Sequence, residues 1–144
     1  MTEEKFHVGV KALVVNDKNE ILVLMTNPEE AGHYHPKHWD LPGGRIKKND
    51  SIEDTLRKEI AEELGIDNVM ILEHFDTHIS NLKIPVDGEM VGLLMVIYKC
   101  KLPDEKIKLS FEHLEYKWTS INEAKELLKV KFAESFIDKI DKLN

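Results

Sequence analysis

One stretch constrains the chain more than any other: residues 41–66, LPGGRIKKNDSIEDTLRKEIAEELGI. A Gly-Gly turn leads through a polar loop into a segment of helical periodicity, where Ser51 is a candidate N-cap. Asp54 stands three residues later, at the position that a capping box gives to Glu or Gln. Gly65 supplies a left-handed residue that ends a helix. The pattern predicts a helix over residues 51–64.

Three carboxylates, Glu59, Glu62 and Glu63, lie near the end of this predicted helix. Residues three and four apart share one side of a helix, so the three groups converge within an arc of roughly 100° and repel one another. The apolar stripe that docks the helix on a core comprises Ile52, Leu56, Ile60 and Leu64. Glu59 and Glu63 fall at its margin, where a carboxylate without a counter-charge is costly. A hard cation with oxygen ligands, Mg²⁺ or Mn²⁺, would relieve both problems.

The alternative for these carboxylates is an ordinary solvated acidic face, which is what most acidic runs near a helix end are. Acidic groups at a helix C-terminus oppose the macrodipole, so helix stability does not explain their position. This observation favours the metal site over the solvated face.

With these residues in place, the stretch resembles the Nudix box of the Nudix hydrolases, whose pattern is G-x5-E-x7-R-E-U-x-E-E-x-G-U with U an aliphatic residue. The matching positions, without a gap, are Gly44, Glu59, Ile60, Glu62, Glu63, Gly65 and Ile66. Two positions depart, because Asp50 replaces the first Glu and Lys58 replaces Arg. Asp50 keeps the negative charge of Glu but has a shorter side chain. Lys58 keeps the positive charge of Arg but lacks the guanidinium group, which can bind a carboxylate through two hydrogen bonds.

The resemblance implies an enzyme with Mg²⁺, or alternatively Mn²⁺, as its cofactor. Its implied reaction is hydrolysis of a diphosphate bond in a nucleoside diphosphate linked to another moiety: a nucleoside triphosphate, a nucleotide sugar, ADP-ribose or a dinucleoside polyphosphate. The implied metal ligands are Glu59, Glu62, Glu63 and a backbone carbonyl from Gly43 or Gly44. The general base would be Glu62, Glu63 or Glu112, the last from a later EH-x-E-Y-x-W element that also offers Glu115.

A second hypothesis is a Nudix-like module that binds a nucleotide or ADP-ribose as a sensor without efficient turnover. The departures at Asp50 and Lys58 keep this alternative open. Against it, three clustered carboxylates oppose anion binding unless metal ions are recruited, and a pure binding module has no need of them.

Composition indicates one soluble globular domain, residues 1–144, large enough to bury a core. A net charge of −7 disfavours a nucleic-acid polymer as partner, but not a small phosphorylated substrate held through a metal. The single cysteine, Cys100, and the lack of a signal peptide or an apolar run of membrane-spanning length favour the cytoplasm. Family members are often homodimers, which makes a homodimer an open expectation.

The order of strands and helices predicts an α/β fold, a Nudix-like α/β/α sandwich with a mixed β-sheet. VGVKALVV and EILVLM, joined by a turn at residues 16–19, predict a hairpin that lies centrally in a sheet covered on both faces. Two further strands flank a turn at Asp87-Gly88. Ser120 and Glu123 predict a capping box, with Trp118 packed under the helix that follows. Residues 132–143 predict a C-terminal amphipathic helix.

Three histidines, His33, His35 and His38, cluster in the polar loop before the Gly-Gly turn. Their spacing matches no usual zinc pattern, and no cysteine follows at the right distance. The interpretations favoured here are surface histidines or histidines at the lip of a substrate site. Trp39 next to them is interpreted as a packing anchor.

Overall fold

The computed structural model describes residues 2–30 and 35–143. The described residues form eight strands, three α-helices and a terminal 3₁₀ turn. The strands are β1 Phe6–Val14, β2 Ile21–Thr26, β3 Trp39–Asp40, β4 Gly43–Arg45, β5 Met70–Ile79, β6 Ile84–Val86, β7 Glu89–Lys101 and β8 His113–Thr119. The helices are α1 Ile52–Leu64, α2 Ile121–Leu128 and α3 Glu134–Ile140, and the turn is Asp141–Leu143.

The strands form two sheets. In the larger sheet the order is β4-β1-β7-β5, and β6 pairs with β7. Strand β1 runs parallel to β7, whereas β4, β5 and β6 pair antiparallel to their neighbours, so this sheet is mixed as expected. The smaller sheet is antiparallel, with the order β3-β2-β8.

The predicted hairpin between β1 and β2 is wrong. The turn at residues 16–19 is present, with the Asn16 N–H donating to the Glu20 carbonyl at 3.1 Å. Beyond it the two strands share a single bridge, Val15 with Ile21, and then join different sheets. Turn chemistry brings two strands together locally, but each strand then follows the partner that buries its side chains best.

Both faces of β1 and β2 are covered, which explains their nearly continuous apolar sequence. One core cluster lies beneath α2 and α3 and contains Leu13, Ile21, Val23, Phe132 and Phe136 among its buried members. The other lies beneath α1 and contains Val10, Ala12, Val14, Leu22 and Leu24. Helices therefore cover both sides of the strands, which confirms the α/β/α sandwich.

Helix α1 has the predicted ends. The Ser51 hydroxyl accepts a hydrogen bond from the Asp54 N–H at 3.0 Å, and Gly65 adopts the left-handed conformation with φ of 66°. Three of the four stripe residues, Leu56, Ile60 and Leu64, are fully buried in the cluster beneath this helix.

The C-terminal half has the predicted elements, and only the packing of Trp118 differs from the prediction. The Ser120 hydroxyl caps α2 by accepting from the Glu123 N–H at 3.1 Å, and Phe136 of α3 is fully buried as expected. Trp118 lies on β8 as predicted, but it packs against the cluster beneath α1 and not under α2. Its register opposite Leu22 sends both side chains to the α1 face. Trp39 packs as an anchor on the opposite cluster.

Within the part of the chain that the structure describes, no helix is both long enough and apolar enough to cross a bilayer.

Candidate functional site

Glu59, Glu62 and Glu63 of α1 line one cavity of about 370 Å³. Its size is in the range of small-molecule sites. Glu63 is buried, Glu59 is half-buried and Glu62 is exposed, which fits positions at the margin of the apolar stripe. Glu112, from the loop before β8, lines the same cavity. The helix and the late loop therefore bring four carboxylates to one place.

The cavity opens where the two sheets separate. Gly9, Lys11 and Leu93 line it from the larger sheet. Thr26 and Asp40 line it from the smaller one. The cavity is therefore walled by both sheets and by the end of α1.

Glu63 is the most firmly held of the four carboxylates. Its Oε1 accepts a hydrogen bond from the Gly43 N–H at 2.7 Å, and its Oε2 lies 3.5 Å from His113 Nε2. Burial raises the Glu63 pKa to about 8, and this effect outweighs the lowering by the Lys11 charge and the Gly43 hydrogen bond. Glu63 is thus a fixed carboxyl group at which negative charge is unfavourable in the absence of a cation.

The two glycines before α1 act in different ways. Gly43 has φ of 143°, and a Cβ there would lie 2.0 Å from the Val10 carbonyl oxygen. Only glycine therefore fits at this position of β4, where it lies against β1. At Gly44 a Cβ would lie 2.5 Å from Cδ of Glu59. The missing side chain at residue 44 is what lets the Glu59 carboxylate lie against the backbone.

We expect Gly44→Ala to lower kcat/KM at least about tenfold, because the added methyl displaces the Glu59 carboxylate and misplacement by an ångström is costly in catalysis. The melting temperature should change little, since the obstructed atoms are the end of a flexible side chain. Gly43→Ala is the contrasting variant, whose clash with backbone should lower the melting temperature. Equal activity of Gly44→Ala and wild type would contradict this account of Glu59.

A loop carries Glu112 and its neighbour His113 to the end of α1. The Lys108 N–H donates to the Leu64 carbonyl at 2.9 Å and the Ser110 N–H to the Glu63 carbonyl at 3.1 Å, so the loop caps the last turn of the helix. Glu63, Glu112 and His113 then each offer one ligand atom within 4.8 Å of the others. His113 was missed by the sequence analysis, although it follows Glu112 directly in the EH-x-E-Y-x-W element.

The structure does not bring Glu115 to the cavity, since it is exposed on β8 and is not among the lining residues. His35 and His38 do line the cavity. Each donates a ring N–H to a backbone carbonyl, His35 Nε2 to Lys83 at 2.7 Å and His38 Nδ1 to Pro36 at 2.9 Å. Both histidines thus lie in the cavity wall, and a role towards substrate stays a prediction. His33 lies outside the described residues.

A buried group of charges, which the sequence analysis missed, borders the cavity. The Asp40 carboxylate accepts hydrogen bonds from Lys131 Nζ at 2.6 Å and from Lys11 Nζ at 3.2 Å. Burial alone would raise the Asp40 pKa, but the two ammonium groups outweigh it and hold that pKa below its usual range. Lys11 also donates to the Leu41 carbonyl at 3.2 Å, just before the Gly-Gly turn.

The two positions that depart from the box pattern face one another. Lys58 Nζ lies 3.0 Å from Asp50 Oδ1, in an ion pair between the loop and the helix. The shorter side chain of Asp50 and the ammonium of Lys58 therefore still form an ion pair. This pair connects the loop to α1 although both residues differ from the box pattern.

The donor set fits a divalent cation. Glu59, Glu62, Glu63 and Glu112 line one cavity, and of these four Glu63 and Glu112 each offer an oxygen within 4.8 Å of the other. Oxygen ligands are those that Mg²⁺ and Mn²⁺ prefer. Burial and then the Glu62 charge raise the Glu59 pKa, as expected for a half-buried carboxylate beside another carboxylate.

Comparison with known proteins agrees with this geometry. The NUDIX domain family matches residues 5–140. Nucleoside triphosphatase NudI of Escherichia coli O139:H28 is 30% identical over 111 residues, covering 74% of this chain and 76% of NudI. The crystal structure of the MutT protein from Methanosarcina mazei Go1 has a TM-score of 0.73 at 22% identity, covering 99% of this chain and 96% of that one.

A further structural relative is the E. coli dihydroneopterin triphosphate pyrophosphohydrolase, with a TM-score of 0.70 at 18% identity over 96% of this chain and 97% of that one. These structures share the fold. Because the family match spans nearly the whole chain and includes the carboxylate helix, the chain belongs to the NUDIX family and is a Nudix pyrophosphohydrolase.

Proposed function

We propose that this chain catalyses the Mg²⁺-dependent hydrolysis of a diphosphate bond in a nucleoside diphosphate linked to another moiety, with Mn²⁺ as an alternative cation. The observation that carries the proposal is the convergence of Glu59, Glu62, Glu63 and Glu112 on one cavity. The relatives' names support the substrate class, since NudI is a nucleoside triphosphatase and another structural relative is an ADP-ribose pyrophosphatase. The linked moiety is therefore a phosphate, a sugar, a ribose or a second nucleotide.

The metal ligands in this proposal are Glu59, Glu62 and Glu63, with Glu112 beside them and a carbonyl of Gly43 or Gly44. A divalent cation bound there supplies charge neutralisation for the phosphates and lowers the pKa of an attacking water. The chain itself holds the Glu63 carboxylate in place through the Gly43 N–H. One carboxylate oxygen of Glu62, Glu63 or Glu112 accepts the proton of the attacking water.

Arg45, the last residue of β4, and Lys47, in the loop that follows, would bind the phosphates. Both line the same cavity as the carboxylates. Their positive charges complement a diphosphate that an acidic site would otherwise repel.

Product analysis with a panel of nucleoside triphosphates, nucleotide sugars, ADP-ribose and dinucleoside polyphosphates tests the proposal, each in Mg²⁺ and in EDTA at alkaline pH. Metal-dependent release of a nucleoside monophosphate or diphosphate from one class supports it. No cleavage of any class by the folded protein would contradict it, and would favour the sensor alternative if nucleotides still bind without metal.

Metal binding should also be visible in stability. In EDTA, we expect the free energy of unfolding to fall as the pH rises from about 4.5 towards 8, because the folded-state pKa of Glu63 is raised from 4.5 to about 8. A raised folded-state pKa contributes stability at low pH and loses it as the group ionises. Mg²⁺ should therefore raise the melting temperature more at pH 8 than at pH 5.

Glu63→Gln serves as the control for that experiment, since it cannot ionise and should show a weaker dependence of stability on pH. Thermal melts of both proteins, with Mg²⁺ and with EDTA, give the comparison. A Mg²⁺ effect that is absent at pH 8 would contradict the metal site.

We further propose that residues 1–144 make a single domain that acts in the cytoplasm. Its partner is a small phosphorylated substrate and not a nucleic-acid polymer, since the net charge of −7 repels a phosphate backbone. A homodimer stays a prediction, which light scattering tests directly.

A further inference from the structure

Lys11 of β1 is a buried lysine whose hydrogen bonds go to the segment just before the Gly-Gly turn. Its Nζ donates to Asp40 Oδ2 and to the Leu41 carbonyl, both at 3.2 Å. Two of the three N–H donors of the ammonium are thus used on consecutive residues. Because a buried ammonium is costly without partners, these bonds hold the side chain and the backbone that it contacts in one arrangement.

The aliphatic stem of Lys11 lies across Gly43. The two residues are directly opposite each other in the antiparallel pairing of β1 with β4. A Cβ on Gly43 would lie 2.9 Å from Lys11 Cδ. Next along β1, the Ala12 N–H donates to the Pro42 carbonyl at 2.8 Å. Residues 40–43 are therefore held against β1 by the side chain of Lys11 as well as by the backbone.

The Gly43 N–H carries this arrangement to the carboxylate helix. It belongs to the same peptide unit as the Pro42 carbonyl, and a peptide unit is planar. The carbonyl of this unit is bound by Ala12, and its N–H donates to Glu63 Oε1 at 2.7 Å. Gly43 and Glu63 are both buried, so this hydrogen bond is not exchanged freely for one to water. The position of the turn thus sets the orientation of the Glu63 carboxyl group.

We propose that Lys11 is a positioning residue for Glu63: it holds residues 41–43 so that the Gly43 N–H keeps the Glu63 carboxyl group in one orientation. Lys11 acts through Gly43 and not through contact with the reacting atoms. The inference rests on the proposed function, because the orientation affects turnover only if Glu63 binds the metal or accepts the proton of the attacking water. It adds a residue from outside the Nudix box to the groups that hold a carboxylate of the box.

The positive charge of Lys11 has an effect of its own, which the test must separate from positioning. Burial has the largest effect on the Glu63 pKa and raises it, whereas the charge of Lys11 lowers it. The same charge repels a divalent cation bound at Glu63. If Lys11 acted through its charge alone, removing it would tighten Mg²⁺ binding and leave the Gly43 hydrogen bond intact.

Hydrogen exchange of the Gly43 amide tests the inference directly. Lys11→Met keeps most of the stem but removes both hydrogen bonds of the ammonium. The measurement is made in EDTA at about pH 6, where the Glu63 carboxyl group is protonated because its pKa is about 8. Relative to amides of β2 and β8, which report general destabilisation, the Gly43 amide should exchange at least about tenfold faster than in wild type. On the substrate found by product analysis, kcat should fall at least about tenfold with little change in KM.

Lys131→Met is the matched control. Lys131 also pairs with Asp40, at 2.6 Å, but of the two lysines Lys11 is the one that bonds the Leu41 carbonyl. The control should leave exchange of the Gly43 amide unchanged. Each variant leaves Asp40 with one ammonium partner, so both should fold. Lys11→Arg retains N–H donors, and it should restore most of the protection of Gly43 and most of kcat.

Exchange of the Gly43 amide that is no faster in Lys11→Met, relative to β2 and β8, would overturn the inference. Calorimetric titration with Mg²⁺ and the KM would then assign the role of Lys11, since tighter Mg²⁺ binding indicates charge and a raised KM indicates substrate contact. Faster exchange with unchanged kcat would also overturn it, because turnover would not depend on the Gly43 hydrogen bond. A wild type that hydrolyses nothing, with the exchange effect present, would refute the proposed function and still support the positioning of Glu63.

Discussion

Replacing Glu63 with glutamine is expected to lower turnover at least about a hundredfold while leaving the fold intact. Loss of a metal ligand or general base typically costs this much or more. The fold should survive because glutamine keeps an oxygen to accept the Gly43 N–H, which now bonds Glu63 Oε1 at 2.7 Å. Steady-state kinetics on the substrate found by product analysis, with circular dichroism and thermal melts, measures both parts.

Glu53→Gln is the matched control for this variant. Glu53 lies in the first turn of the same helix, is exposed and does not line the cavity. Its removal should leave kcat nearly unchanged. A Glu63→Gln enzyme that retained more than about a tenth of wild-type turnover would exclude the role assigned to this carboxylate.

Asp40→Asn is expected to destabilise the protein by about 3 to 5 kcal/mol, because it removes the carboxylate from two buried ammonium groups. The side chains of Lys11 and Lys131 are only 8% and 13% exposed, so water cannot solvate their ammonium groups in place of the lost carboxylate. The melting temperature should fall on the order of 10 °C. Urea denaturation at neutral pH measures the free energy directly.

Two further variants serve as controls for Asp40→Asn. Asp50→Asn removes a carboxylate from the exposed Lys58 and should change stability little. Adding Lys131→Met to Asp40→Asn should restore part of the loss, since one uncompensated charge then remains. Equal stability of Asp40→Asn and wild type would show that the buried lysines tolerate the loss of their partner.

The carboxylate helix could be predicted because its signals are local. Ser51, Gly65 and the apolar stripe set the ends and the buried face of α1, and the positions of Glu59, Glu62 and Glu63 follow from helical geometry alone. No tertiary contact is needed for that step.

The buried charged group that borders the cavity could not be predicted, because it is assembled from distant segments. Asp40 is 29 residues from Lys11 and 91 residues from Lys131. Isolated lysines on a strand and in a helix connection carry no local signal of a shared partner. The hairpin prediction failed for a related reason, since the turn after Val15 is local but the choice of sheet is not.

Because β1 and β2 part, both sheets contribute walls to the cavity. A regular hairpin would have kept the two strands side by side and closed the gap that the cavity occupies. Instead, β1 and β4 support the carboxylates with α1, whereas Asp40 reaches the gap from the smaller sheet and holds Lys131. Asp40 also binds Lys11 of β1, so one buried carboxylate links the two sheets across the cavity.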